Sequence, residues 1–314
     1  MNSLDPSWFS PDYDTARARF CALVTEKGGR HEALNLGATG PNGASLSIDI
    51  GWFGSQTPRN VLLHSSGLHG VEGFAGSAIQ LAAIASDDFL PPEGDAAIWV
   101  HVLNPYGMSW RRRVNESNVD LNRNFMEPGR AYGGVSDGYR VMHPTLNPAT
   151  PPGFDFFLIR SVMQIIKHGY NTLKQAVTEG QYVYPKGLFY GGAQLEEGPT
   201  LYSEWLAQNL SGCQRVLAID IHSGLGKYGE DTLLVDVGLD DPLYKTLLNA
   251  FGERVAPWDA DGSVAYQIHG GHPEAVPRIL SGAKVEFITQ EFGTMPALKV
   301  LFALREENRC HHYG

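Results

Sequence analysis

Asn60-Val61-Leu62-Leu63-His64-Ser65-Ser66-Gly67-Leu68-His69-Gly70-Val71-Glu72 opens the stretch on which the fold turns. Its first five residues are a short apolar run, Ser65-Ser66-Gly67 breaks that run, and Glu72 to Ala85 carries a helical pattern. Ala97 to Leu103 is a second apolar run of strand length. Strand, helix and strand in this order make a βαβ unit, whose crossover lays the two strands parallel in one sheet. Upstream, Ala16, Phe20, Leu23 and Val24 recur at helical spacing within residues 12–28, and Ser45 to Phe53 alternates like a half-buried strand. Downstream, glycine and proline interrupt every period between Met126 and Pro152, which predicts a long loop before a helix from Phe154 to Val177. Gln214 to Ile221 and Thr232 to Val237 read as strands, Asp241 to Val255 as a helix entered through Asp241-Pro242, and Lys284 to Gln290 as the last strand, ahead of a helix after Pro296. The expected fold class is α/β, a mixed and mostly parallel sheet with helices on both faces. Ligands in such folds bind beyond the carboxyl ends of the strands, where His69, His222 and Glu291 fall.

The 314 residues suit a single catalytic domain over 1–314, and 43% hydrophobic against 18% charged residues gives ample apolar surface for one core. A formal charge of −10 argues against nucleic acid or an anionic membrane as partner, because both select a basic surface. Cys21, Cys213 and Cys310 are odd in number and widely spaced, which predicts free thiols. The N-terminus lacks a basic segment followed by an apolar one, and no stretch approaches the roughly 18 apolar residues of a membrane span, so the cytoplasm is the expected compartment. Sequence leaves the oligomeric state open.

His69 and Glu72 place an imidazole and a carboxylate three residues apart where a strand turns into a helix, a spacing that lets both converge on one ion. A catalytic zinc takes three N or O ligands and keeps a fourth position open. His222, closing the buried run Leu217-Ala218-Ile219-Asp220-Ile221-His222, is the best placed third ligand. Taken alone, an HxxE pair also serves as a cap or a surface pair. His31-Glu32 is followed by Asn35 and not by His, so the HExxH metalloprotease helix is absent. Gly224-Leu-Gly226-Lys-Tyr-Gly229 spells GxGxxG, but a strand-like run follows it where a dinucleotide site needs a helix, and it reads as a flexible turn.

Asn104-Pro105-Tyr106-Gly107, Trp110-Arg111-Arg112-Arg113 and Val119-Asp120-Leu121-Asn122-Arg123-Asn124-Phe125 follow in order, ahead of His222 and of Glu291 in Thr289-Gln290-Glu291-Phe292-Gly293. This succession, from about residue 60 to 295, resembles the zinc carboxypeptidase family, and more closely its poorly characterised bacterial branch. The resemblance implies a zinc carboxypeptidase-like fold and one zinc per chain on His69, Glu72 and His222, with Asp120 orienting a ligand imidazole. It implies that Asn122 and Arg123 grip the substrate's terminal carboxylate, that Arg113 stabilises the oxyanion, with Arg112 beside it as the alternative, and that Glu291 is the general base. Arg111 reads as part of a solvated basic patch. The sequence departs from the family in one respect, since no tyrosine stands between Gly270-Gly271 and Glu291; Tyr190 and Tyr266 are the substitutes, each equally readable as packing. The implied reaction is hydrolysis of a peptide or amide bond next to a free carboxylate, on a peptide or acylated amino acid substrate. The alternative is an N-acyl amino acid deacylase of the aspartoacylase and succinylglutamate desuccinylase type, which shares the HGxE and DLNR signatures. A zinc-binding or peptide-binding protein without activity is the third reading.

Overall fold

The computed structural model of the chain describes residues 5–257 and 268–314. Eight strands form one sheet: β1 (Arg30–Thr39), β2 (Ser45–Gly54), β3 (Asn60–Ser66), β4 (Ala96–His101), β5 (Arg215–Gly224), β6 (Asp231–Val235), β7 (Val255–Pro257) and β8 (Lys284–Gly293). Their spatial order is β1-β2-β4-β3-β5-β8-β6-β7. The pairings β4-β3, β3-β5, β5-β8 and β6-β7 are parallel, and the other three are antiparallel. The helices are α1 (Tyr13–Glu26), α2 (Gly73–Ala85), α3 (Pro105–Ser109), α4 (Asp137–Leu146), α5 (Phe157–His168), α6 (Tyr170–Thr178), α7 (Glu197–Leu210), α8 (Pro242–Phe251), α9 (His272–Ile279) and α10 (Ala297–Tyr313). The α/β class with helices on both faces is the observed architecture, and no helix among the described residues is long and apolar enough to cross a membrane.

The alternation in β2 reflects polarity and not exposure, which corrects the half-buried reading. Residues Leu46–Phe53 are all buried. Ile48, Ile50 and Trp52 pack with Trp205 and Leu206 of α7, while Phe53 on the opposite face meets Phe20 and Val24 of α1. The polar members of that second face are paired: Asp49 accepts from Arg17 Nε at 2.7 Å and from Ser47 Oγ at 2.8 Å. Gly51 shows how closely α1 lies, because a Cβ there would sit 2.6 Å from Val24 Cγ2. In the βαβ unit, α2 presses on β3, and a Cβ on Gly76 would stand 2.4 Å from that of Ser66.

The stretch expected as a long loop contains α4, whose cap is the Ser136 hydroxyl accepting from Tyr139 N. Its buried residues Tyr139, Met142 and Leu146 do keep helical spacing, but Gly138 and Pro144 mask it in sequence. The helix expected from Phe154 to Val177 is two, α5 and α6, parted at Gly169 with φ +84°. The helix entered at Asp241 stops at Phe251, ahead of Gly252 with φ +64°, and Val255 begins β7 instead. Edge strand β1 and helices α7 and α9 were not foreseen; α7 hides behind Gly198 and Pro199 in its first turn. The three cysteines are free thiols.

Candidate metal centre

The parallel trio β3, β5 and β8 delivers the chemistry to one rim. β3 ends at Ser66, and the chain then passes through His69 into a short 3-10 turn, Gly70–Glu72. That turn lies against α3 so tightly that a Cβ on Gly70 would stand 2.1 Å from the Gly107 carbonyl carbon, and a Cβ on Gly107 would stand 2.8 Å from the Arg112 carbonyl oxygen. Gly70 N and Val71 N donate to the carbonyls of Arg113 (3.1 Å) and Arg112 (2.9 Å), tying the HxxE turn to the arginine segment. His222 and Glu291 are register partners near the ends of β5 and β8.

His69 Nδ1 lies 3.0 Å from Glu72 Oε1 and 3.2 Å from His222 Nδ1, and His222 Nδ1 lies 3.5 Å from Glu72 Oε2. Ligands about 2.0–2.1 Å from a tetrahedral zinc stand about 3.3 Å apart, so the three donors are spaced as that ion requires. Both imidazoles are buried. The far nitrogen of each ring meets a carboxylate, His222 Nε2 to Asp220 Oδ2 at 2.8 Å and His69 Nε2 to Asp120 Oδ1 at 3.3 Å, which leaves each Nδ1 turned to the common point. Arg113 Nη2 also stands 2.7 Å from His69 Nε2. A guanidinium only donates, so Arg113 matches the tautomer with Nε2 bare, and Asp120 matches the one with Nε2 protonated that ligation through Nδ1 needs.

Asp220 was not singled out in the sequence, although it lies on the same face of β5 as His222 by the two-residue period of a strand. It accepts from Ser65 Oγ at 2.7 Å and faces His272 Nδ1 at 3.2 Å. Burial opposes ionisation of Asp220, yet His222 and His272 overcome it and hold its carboxyl far below the usual range. Burial likewise works against Asp120, and Arg113, Arg123 and His69 keep it well below its ordinary value. Glu72 is lowered against its burial by His69 and His222. Burial disfavours a proton on His222, but Asp220 and Glu72 raise its pKa well above the ordinary value; carboxylates that hold a proton there also favour a divalent cation. Glu291 moves the opposite way, to about 7, first by burial and then by the negative charge of Glu72.

Glu291 Oε1 accepts from Leu225 N at 2.9 Å. The Gly224–Gly229 segment is thus a turn between β5 and β6 that holds Glu291. A Cβ on Gly293 would stand 2.2 Å from the Lys227 carbonyl oxygen, so only glycine lets the turn come this near.

The centre opens onto a cavity of about 510 Å³ whose lining includes His69, Glu72, Arg113, Asn122, His222 and Glu291. Arg112 points elsewhere, its Nε donating to Glu307 at 2.6 Å and its Nη2 to Asn118 at 2.9 Å. Asn122 Oδ1 accepts from His272 N at 3.0 Å. Arg123 is fully buried: its Nε donates to the Thr178 carbonyl at 3.0 Å, its Nη1 stands 3.6 Å from Asp120, and it is not in the cavity lining. Tyr190 packs in the main core, where its carbonyl accepts from Asp120 N at 2.7 Å. Tyr266 lies outside the described residues. Tyr170, which no motif marks in the sequence, lines the cavity.

No curated protein matches the chain. Among solved structures it is similar to carboxypeptidase A from Helicoverpa armigera, at 15% identity over 96% of this chain and 72% of that one, TM-score 0.48. It is similar also to murein-tripeptide amidase MpaA from Escherichia coli O157, at 16% identity over 91% and 95%, TM-score 0.42. A third is a succinylglutamate desuccinylase from Silicibacter sp. TM1040, at 18% identity over 91% and 67%, TM-score 0.42. The family model described as "Protein of unknown function (DUF2817)" matches residues 9–314, and the chain belongs to that family.

Proposed function

We propose that the chain is a zinc-dependent hydrolase of the metallopeptidase type that cleaves an amide bond, holding one zinc ion on His69, Glu72 and His222. The observation that carries this reading is the 3.0–3.5 Å spacing of two buried imidazoles and the partly buried Glu72 carboxylate, beside a second carboxylate raised to about 7. Zinc held there supplies a Lewis acid that polarises an amide carbonyl and acidifies water. Glu291 takes the proton of the attacking water and returns it to the leaving nitrogen, a task suited to a base poised near the working pH. Arg113, on the cavity wall beside His69, offers a fixed cation to the carbonyl oxygen as negative charge develops on it. Asp120 and Asp220 orient the two imidazoles.

Substrates are amides of amino acids, either peptides or N-acyl amino acids. The placement of Arg123, whose guanidinium is engaged by the Thr178 carbonyl and Asp120 instead of facing the cavity, does not separate the two, because both substrates carry a free carboxylate. Either reading, if Arg123 is the anchor, requires that guanidinium, with Asn122, to reach the substrate's carboxylate. A hydrolysis screen of the zinc-loaded protein over short peptides, C-terminally amidated peptides and N-acyl amino acids tests both. Turnover of free but not amidated peptides supports the carboxypeptidase, preference for N-acyl amino acids supports the deacylase, and no turnover in any set refutes the hydrolase.

A further inference from the structure

We infer that the substrate's acyl group is an extended aliphatic chain, seated in the apolar chamber that adjoins the metal donors. This rests on the hydrolase reading and names its substrate class as N-acyl amino acids of medium to long chain.

The polar machinery takes up only part of a cavity that, at about 510 Å³, has the size of sites for ligands much larger than one side chain. Much of the remainder is walled by Met142 of α4, Ile165 of α5, Leu173 and Val177 of α6, and Leu298 and Leu301 of α10. These four helices meet in a cluster separate from the main sheet core. Thr178, on the same wall, returns its hydroxyl to the Lys174 carbonyl at 2.7 Å.

The chemistry of these walls decides which portion of the substrate they accept. Helix backbones spend their amides and carbonyls internally, so the chamber meets its occupant mainly with side-chain carbon. A peptide extending into it would carry N–H and C=O groups with few partners, and leaving such groups unpaired is costly. An amino acid released by hydrolysis carries a carboxylate, which also suits polar surroundings. A saturated acyl chain has neither requirement, and it gains from every methylene removed from water.

The test is a chain-length series on the zinc-loaded wild type with N-acetyl, N-hexanoyl and N-decanoyl forms of one amino acid, beside apolar tripeptides. Each added methylene should raise kcat/KM by about fourfold until the chamber is full, hence about two-hundredfold from acetyl to hexanoyl. Leu301→Trp and Ile165→Trp, which narrow the chamber, should lower the decanoyl-to-acetyl ratio of kcat/KM at least tenfold. A flat series, or tripeptides outrunning every acyl substrate, overturns the inference, and the wild-type series decides alone if a variant fails to fold. Calorimetric titration of zinc-loaded Glu291→Gln with N-decanoylglycine and N-acetylglycine gives a readout without turnover, and equal affinities again overturn it. Tight decanoyl binding with no hydrolysis of any amide would sink the hydrolase reading and keep the chamber, whereas hydrolysis without chain-length dependence would do the reverse.

Discussion

Replacing Glu291 by Gln separates the demands of catalysis from those of folding. The side chain is held by a donor, Leu225 N at 2.9 Å from Oε1, and the amide oxygen of Gln can accept the same bond, so the turn between β5 and β6 should stay in place. The basicity goes, and with it the proton transfer, for which about 10² to 10⁴-fold in kcat is typical. Stability should move the other way. The carboxyl's pKa rises from 4.5 to about 7 on folding, chiefly because it is buried. The folded state therefore binds the proton more tightly. This group's contribution is fully present below pH 4.5 and is lost as pH climbs through 7, to a cost of about 3 kcal/mol above that window at about 1.4 kcal/mol per pKa unit. Glu291→Gln removes this cost, so the metal-free variant should resist urea better than wild type at pH 8 and no better at pH 4. Zinc content by elemental analysis should be unchanged while kcat collapses. Turnover within a few-fold of wild type would refute the assignment and point to another base. Glu286 is poorly placed for that role, since it sits near the start of β8 with Arg215 and Lys284, leaving Glu274 of α9 as the next carboxylate to replace.

The double variant His69→Ala, His222→Ala should lose its zinc, and retention of a full equivalent by elemental analysis would disprove the ligand set. Asp220→Asn should weaken zinc binding by about 10 to 100-fold through the misoriented His222 imidazole, read by competition with a chelator; an unchanged affinity would remove Asp220 from the centre. Arg123→Ala leaves Asp120 in the buried interior with one fewer cation and should cost on the order of 3–5 kcal/mol in urea unfolding. Unchanged stability with a raised KM for carboxylate substrates would instead make Arg123 a substrate anchor. His64 and His101, each pushed down to about 4 by burial, are neutral in the fold, so stability is complete above about pH 6.5 and falls as pH drops towards 4. Each should contribute about 3 kcal/mol to that loss, and Gln at either position should flatten the slope of unfolding free energy against pH.

The sheet and the convergence of His69, Glu72 and His222 were legible because each rests on a local pattern: an apolar run for a strand, an i, i+3 pair for His69 and Glu72, a strand end for His222. What sequence withheld depends on who faces whom. Arg123 is the same residue type whether its guanidinium reaches into a cavity or ends on the Thr178 carbonyl, and only the approach of α6 decides. Asp220 sits two residues from His222, yet its part emerges once Ser65 and His272 are seen to converge on it. The chamber was hidden for another reason. Its walls come from α4, α5, α6 and α10; Gly138 and Pro144 mask α4, and the meeting of the four is a matter of packing between segments far apart in sequence.

The centre's two carboxylates also illustrate why residue type alone does not fix a role. Glu72 and Glu291 are both nearly buried, and burial raises both. Two imidazoles face Glu72 and reverse the effect, so it stays an anion able to ligate a cation. Glu291 receives the repulsion of that anion and one backbone donor, so its proton affinity remains high. Neighbouring groups driven to opposite sides of their ordinary pKa can divide ligation from proton transfer. The division depends on glycine, because the backbone that brings Leu225 N to Glu291 passes so near Gly293 that any side chain there would collide with it. The GxGxxG string, no nucleotide motif, is thus the turn that holds Glu291.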